Sequence, residues 1–434
     1  MSLLGVISSD SSINNMISEA FNKPLKDPYD VRFLEEEKRI LEFLNYDLPE
    51  IVIINFSDPK IDIDYIVKQI IGDSWLHNFG IIGLFNQEEA NEEELLKKLK
   101  EVNILALLNT YRIRSHILKS VQIIERNYQI IFQKELSSRL FEKASGSFTI
   151  KNDVLAVPIY AGIAATMLSQ RGLIDPDSKM HLQLCLAELI INGVEHGNCG
   201  ITFEEKTMFM DKGLSVVELV EEKCRDSKIA AKTVTLDWEI ESDETKFIIK
   251  DEGKGFDVSE LNRKLEQEGP MALHGRGIRM ARAIAKEVSY NDVGNQVTII
   301  IGYDESVAKI TPVGFTGEEA LYTRRNDIVF NEGEASDFLY YIASGSFSVF
   351  HKGRHVGALS PTDIFMGEMS FLLNKRRSAT VRAETSGKLI KISRKTFVSV
   401  IKDYPHYGIF LSKLLAKRLV RANAINAVRR RKRR

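Results

Sequence analysis

Cysteine is scarce in this chain. Cys185, Cys199 and Cys224 are the three in 434 residues. Their spacing fits no metal-ligand pattern, and two lie in or beside one apolar helical stretch, so they read as structural thiols rather than a redox or zinc site. An excess of one charge sign is also missing. Lys and Arg number 59 against 60 Asp and Glu, so no global field points to nucleic acid or a membrane surface. No apolar run approaches the ~20 residues that span a bilayer. The opening MSLLGVISSDSS is too short and too polar for a secretory signal, and a cytoplasmic address is expected. No internal repeat is found. What is present is 44% hydrophobic and 27% charged residues, the soluble globular class. The length suits roughly three domains of ~150 residues.

Residues 1–108 alternate apolar runs (LLGVIS, EIVIINF, FGIIGLF, VNILALL) with amphipathic segments (INNMISEAF, IDYIVKQII, EEELLKKLKEV). Strands apolar on both faces with helices between them imply an α/β parallel sheet. Residues 109–147 hold a stretch without Gly or Pro. In it Ile113, Ile117, Val121, Ile124, Tyr128 and Ile131 recur at helical spacing. This predicts one connector helix, ended by Ser145–Ser147, with its stripe available as a dimer seam. Residues 148–303 read as α+β: a helix–helix start, strands TVTLDWEI, KFIIKDE and QVTIIIGY, and a helix RGIRMARAIAKEV against one mixed sheet. Residues 311–425 begin with short strands between turn signals, which predicts a β-barrel followed by helices. The tail 426–434 is basic, and reads as solvated.

Three separated motifs in the middle domain fit a nucleotide. LQLCLAELIINGVEHGN is an apolar helix that also stacks Glu188 over Asn192 on one face. IIKDEGKGFD runs a strand into Asp251, Gly253 and Gly255. HGRGIRMARAIAKEV places Gly275, Arg276 and Gly277 at a helix start. An aspartate at a strand end can accept from an exocyclic amine, and glycines let a flat base approach the backbone. A helix N-terminus offers N–H groups to phosphates. The Asn192 carbonyl oxygen suits Mg²⁺ shared with phosphates. Glu188 can accept a proton from an attacking hydroxyl.

In order and spacing these segments resemble the GHKL ATP-binding superfamily. Within it they resemble the anti-sigma-factor serine protein kinases of bacterial partner switching. AELIINGVEHGN is similar to the family's N-box, DEGKGFD to its first glycine box, and HGRGIRMARAIAKEVSY to its second. The resemblance covers about 150–303. It implies a Bergerat-type fold, Asn192 on Mg²⁺ of Mg-ATP, Glu188 as catalytic base, Asp251 reading adenine with Gly253 and Gly255 beside it, and a lid over 258–276. One departure is the long 201–232 insertion between the first two boxes. Histidine autophosphorylation is an alternative, on His116 of the connector. His116 is followed by Ile117 rather than an acid, and no helical hairpin completes the unit.

The segments LLGVISSD and PEIVIINFSDP resemble the first and third strands of response-regulator receiver domains. The family's phosphoacceptor aspartate falls on Asn55, its acidic cluster is reduced to Asp10, and its lysine falls near Asn109. A degenerate receiver without phosphorylation is therefore expected, with Asp58 capping a turn. FMGEMSFLLNKRRSATVRA (365–383) pairs a helix start with an arginine, whose fork matches two phosphate oxygens, and with a glutamate suited to a sugar hydroxyl. The segment resembles the phosphate cassette of cyclic-nucleotide-binding domains. That resemblance implies Arg377 on the cyclic phosphate, Glu368 on the ribose 2′-hydroxyl and Ser378 on a phosphate oxygen or the base, with Gly367 and Ala379 in the cassette. Ser378 favours cAMP, with cGMP the alternative. Together these readings imply a cytoplasmic bacterial signalling kinase using ATP and Mg²⁺. Its expected partners are an anti-anti-sigma-type substrate, a sigma factor and a second copy of the chain. A scaffold that binds both nucleotides without phosphotransfer is the rival.

Overall fold

The computed structural model describes residues 2–22, 28–73, 76–77, 79–88, 91–132, 144–241, 243–259, 276–303, 312–361 and 363–416. The chain divides into two compact units, Met1–Leu84 with Ala308–Arg434, and Phe85–Val307.

The first unit begins with β1 (Ser2–Ile7), α1 (Ser11–Phe21), β2 (Tyr29–Leu34), α2 (Glu37–Glu42), β3 (Ile51–Asn55), α3 (Ile63–Gly72) and β4 (Gly80–Phe85). Here the N-terminal sheet runs β2-β1-β3-β4, with every pair parallel. All residues of β3 and β4 are buried, as a parallel strand covered on both faces requires. Side chains start the helices. Asp10 accepts from the Ser12 and Ile13 amides, and Asp62 accepts from that of Tyr65 at 2.9 Å. β2 and α2 escape the sequence reading because β2 interleaves charges and is only half-buried. Asn55 is buried, its Oδ1 accepting from the Ser57 amide at 3.2 Å. Asp58 accepts from the Ser9 amide and hydroxyl and from the Lys60 amide, so its carboxylate closes a loop.

The second unit carries α4 (Glu92–Lys98), β5 (Ile104–Asn109), α5 (Ile113–Phe132), β6 (Ala144–Lys151), α6 (Val157–Gln170) and α7 (Pro176–Asn192). Then come α8 (Phe203–Asp211), α9 (Val216–Lys223), α10 (Ser227–Ala230), β7 (Thr233–Ile240), β8 (Glu244–Lys250), α11 (Arg276–Ile284), β9 (Glu287–Tyr290) and β10 (Gln296–Gly302). The sheet order is β6-β7-β8-β10-β9. All four pairings are antiparallel, which corrects the mixed sheet expected. Two boundaries also change. Ser145–Ser147 do not end a helix; they lie in β6, whose Phe148 and Ile150 point into the core at period two. Gly146 is where the Trp238 ring fits, and a Cβ there would overlap it. The expected helix through Val288 stops at Ile284, because Glu287–Tyr290 pair with β10 as an edge strand. The α5 stripe of Ile113, Ile117, Val121 and Ile124 is fully buried within the chain, where α5 packs on α6 and β5. These four residues are thus not free to form the expected dimer seam.

The first unit resumes with β11 (Glu319–Thr323), β12 (Ile328–Phe330), β13 (Phe338–Ser344), β14 (Phe347–His351), β15 (Arg354–Leu359), β16 (Phe365–Met366), α12 (Glu368–Leu372), β17 (Thr380–Ala383), β18 (Gly387–Ser393) and α13 (Arg394–Asp403). A helical segment follows at 405–416. The strands form two four-stranded sheets, β11-β18-β13-β16 and β12-β17-β14-β15. This is a two-sheet sandwich rather than one closed barrel. Phe330, Tyr340, Ile342, Phe347, Met366, Val381 and Leu389, drawn from both sheets, form one buried cluster. No helix among the described residues is long and apolar enough to cross a membrane.

Candidate nucleotide-binding sites

α7 starts at Asp175, whose carboxylate accepts from the Ser178 amide at 2.7 Å with Pro176 in the first turn. Leu182, Leu186, Leu189 and Ile190 bury its apolar face. Glu188 and Asn192 remain half-buried, one turn apart at its C-terminal end. The helix then widens into a π-turn over Gly193–Asn198, where the Cys199 amide bonds the Val194 carbonyl at 2.9 Å. Such bulges re-aim side chains and recur at functional sites.

The π-turn is shaped around Asp251. A Cβ on Gly193 would come 3.4 Å from the Asp251 Cβ, and one on Gly197 would overlap the Asp251 carboxylate. A Cβ on Gly253 would overlap the Gly197 carbonyl. Asp251 Oδ1 accepts from the Gly253 amide at 2.7 Å. Burial raises the Asp251 pKa, partly offset by that amide. The carboxylate is therefore held where ionisation costs, which suits an acceptor for a ligand donor. Gly255 takes φ of +75°, with no room for a side chain against the Val293 carbonyl.

Three further asparagines fix this loop. Asn198 donates to Asn152 Oδ1 at 2.8 Å and accepts from the Glu252 amide at 2.8 Å, so it joins the π-turn to the end of β8. Asn295 donates to the Asp251 carbonyl at 3.3 Å, and its own carbonyl accepts from the Asp251 amide at 3.0 Å. Asn291 caps the β9–β10 turn by accepting from the amides of Gly294, Asn295 and Gln296. The Asn-rich turn YNDVGNQ was the available signal.

Arg276 and Gly277 open α11, as the sequence indicated. Gly275 and most of the expected lid over 258–276 lie outside the described residues. The 201–232 insertion folds as α8–α10. Lys206 pairs at 2.6 Å with Glu195 of the π-turn, whose side chain is 3% exposed. His116 sits on α5, its Nδ1 2.6 Å from the Ser115 hydroxyl, and burial lowers its pKa. Among the described residues no cluster of three or more His, Cys, Asp or Glu could hold a metal. An ion here would rest on Asn192 and the nucleotide's own phosphates, a donor set that suits Mg²⁺.

In the C-terminal sandwich, Gly367 has φ of +77° and precedes α12, with Glu368 as the first helical residue. A Cβ on Gly367 would overlap the Arg377 guanidinium. Arg377 is 3% exposed. Its Nη1 donates to the Gly367 carbonyl at 3.0 Å, and its Nη2 donates to the Phe338 carbonyl. The guanidinium lies 4.2 Å from the centre of the Phe330 ring. Burial lowers its pKa, opposed by Tyr340, Asp337, Glu334 and Glu368. Its Nε finds no acceptor among the described residues. Glu368 is 6% exposed. Ser378 is exposed, its carbonyl 2.9 Å from His351 Nδ1, and Ala379 is half-buried beside it. Gly367, Glu368 and Arg377 therefore converge, and Ser378 and Ala379 line the outer edge. A buried guanidinium whose Nε–H meets no acceptor among the described residues offers an anion a partner.

Residues 153–301 match the family model of the histidine kinase-like ATPase domain, and residues 305–404 that of the cyclic nucleotide-binding domain. Among curated proteins, the type II regulatory subunit of cAMP-dependent protein kinase from Drosophila melanogaster is 35% identical over 86 residues, 19% of this chain and 22% of that one. A cGMP-dependent protein kinase from Plasmodium berghei is 34% identical over 80 residues, 18% of this chain and 9% of that one. The chain thus spans less than a quarter of these relatives' length. Among solved structures, the catabolite activator protein of Thermus thermophilus is 26% identical, with a TM-score of 0.25, covering 27% of this chain and 56% of that one. The protein therefore joins an ATPase-like domain to a cyclic-nucleotide-binding domain.

Proposed function

We propose that this protein is an ATP-dependent serine protein kinase of the anti-sigma-factor type, regulated by a cyclic nucleotide. The observation that carries the reading is the Asp251 carboxylate lodged among Gly193, Gly197 and Gly253, at the end of the helix that presents Glu188 and Asn192. Asp251 would accept from the adenine amine, and the glycines admit the flat base. The amides at the start of α11 would face phosphate oxygens. Asn192 would hold Mg²⁺, which neutralises phosphate charge when bound. Glu188 would take the proton of a substrate serine hydroxyl. The exposed Met208, Met210 and Leu214 of the insertion offer an apolar surface for an anti-anti-sigma-type substrate.

For the regulatory domain, Arg377 would bind the cyclic phosphate, Glu368 the ribose hydroxyl, and Ser378 the outer phosphate oxygen or the base. cAMP is the favoured ligand. Transfer of labelled phosphate from ATP to a small co-encoded partner tests the kinase. The expected result is a phosphoserine on the partner. Glu188→Gln is expected to slow transfer at least ~100-fold while ATP still binds. Equal transfer by the variant would refute the role of Glu188. ATP binding without any transfer would leave the scaffold reading.

A further inference from the structure

In the first unit, the Tyr407 hydroxyl meets two distant segments. It donates to the Asp73 carboxylate, at the C-terminus of α3. It accepts from the Gly314 amide at 3.4 Å, in the turn Val313–Phe315 that precedes β11. His406 Nε2 stands 3.7 Å from Asp73 Oδ2. Burial alone would raise the Asp73 pKa, but the facing His406 and Tyr407 overcome it and hold the carboxylate ionised.

Two further contacts lock the same face. Leu48 closes the π-turn after α2 with φ of +51°, a left-handed conformation that costs a branched residue about 1 kcal/mol. Its carbonyl accepts from Lys413 Nζ at 3.0 Å. Leu48 and Leu76 share one buried cluster with Phe315, Phe371, Val400, Tyr407 and Leu411. A strained residue held by a long-range contact marks a place the surrounding fold over-determines. Phe371 belongs to α12, the helix that carries Glu368. Its carbonyl accepts from Arg394 at 2.6 Å, and its ring meets Phe397 edge-on at 5.4 Å. A shift of α12 therefore presses on the core that Tyr407 and Leu48 share.

We propose that Tyr407 and Asp73 form a latch through which the C-terminal sandwich reports its ligand state to the N-terminal α/β domain. This rests on the cyclic-nucleotide reading above. Ligand that favours one position of α12 would bias the latch, and the latch would bias affinity by the same factor. The N-terminal domain then receives a signal through the α3 C-terminus.

Hydrogen exchange on the full chain tests it, with calorimetric titration of cAMP alongside. Without ligand, Tyr407→Phe is expected to speed exchange at 66–72 and 408–416 at least about fivefold, since it removes the partly buried hydrogen bond to Asp73 and with it the longer one from the Gly314 amide. Saturating cAMP should change exchange at 66–72 in the unaltered chain, but not in the variant. If Tyr407→Phe unfolds the protein, Asp73→Ala removes the same bond from the other side and must give the same readout. Unchanged exchange in the ligand-free variant would overturn the latch. So would cAMP that binds calorimetrically yet leaves 66–72 unmoved. Absence of heat with cAMP and cGMP would instead remove the sensor reading, and the signalling half of the latch with it.

Discussion

Asp251 is held at a cost. Burial raises its folded pKa, so it favours folding most below the usual carboxylate range, and this contribution is lost as pH rises through the raised value. At neutral pH the ionised group is a burden to stability. Asp251→Asn is therefore expected to melt at the same temperature or higher, yet to lose ATP affinity about 10- to 100-fold, because with its oxygen kept on the Gly253 amide its nitrogen would face the adenine amine of the proposed pose. A melting curve with an ATP titration checks both; lost stability with retained binding would make Asp251 structural. ATP affinity should also weaken on acidification sooner than an ordinary aspartate allows. His77 predicts the opposite slope. Burial lowers its pKa to about 4, and its Nε2 lies 2.8 Å from Asn45 Oδ1, so it folds neutral. Its contribution is present above the ordinary pKa and lost as pH falls from about 6.5 toward 4, on the order of 3 kcal/mol. His77→Gln should flatten the fall in melting temperature between pH 7 and 5. The placement of Asp251 among glycines and of Arg377 against the Gly367 helix start was legible in sequence because, although each motif alone is weak, their order and spacing along the chain marked both segments. Asn198 was not, since its role arises only when the π-turn meets Asn152 and the end of β8.

The element that matters most is α7 with its π-turn. Alanine usually favours a helix over glycine by about 1 kcal/mol. Gly197→Ala is nevertheless expected to weaken ATP binding at least tenfold, because its methyl group would displace the Asp251 carboxylate. Retained far-UV dichroism with lost ATP binding is the expected pair of results; unchanged binding would mean that Asp251 can move aside without loss. The insertion is tied to the same turn through Glu195 and Lys206. Lys206→Met leaves a buried carboxylate unpaired, and should cost about 3 kcal/mol in denaturant unfolding. Elements with one strong signal were legible: the unbroken apolar runs of β3 and β4, and the helical stripe of α7. β6 was hidden because its first four residues, Ala-Ser-Gly-Ser, show no apolar alternation, and β9 because four residues just after a helix carry little periodicity. The two-sheet arrangement was hidden for another reason. Strand pairing across a sandwich depends on long-range register, which short alternating segments do not specify.

Over the whole molecule, composition bounded the class and motif order separated the modules, but sequence could not supply the contacts between segments far apart. Tyr407 and Asp73 are 334 positions apart, and no local pattern foretells that bond. The account's central claim is that one chain couples an ATP site to a cyclic-nucleotide site. Coupling is reciprocal at equilibrium: cAMP must change ATP affinity by the factor by which ATP changes cAMP affinity, commonly about 5- to 150-fold. Calorimetric titration of the full chain with ATP and Mg²⁺, with and without saturating cAMP, and then in the reverse order, measures both factors. The account predicts two binding events with equal, non-unit coupling factors. Two independent affinities, each indifferent to the other ligand, would contradict it.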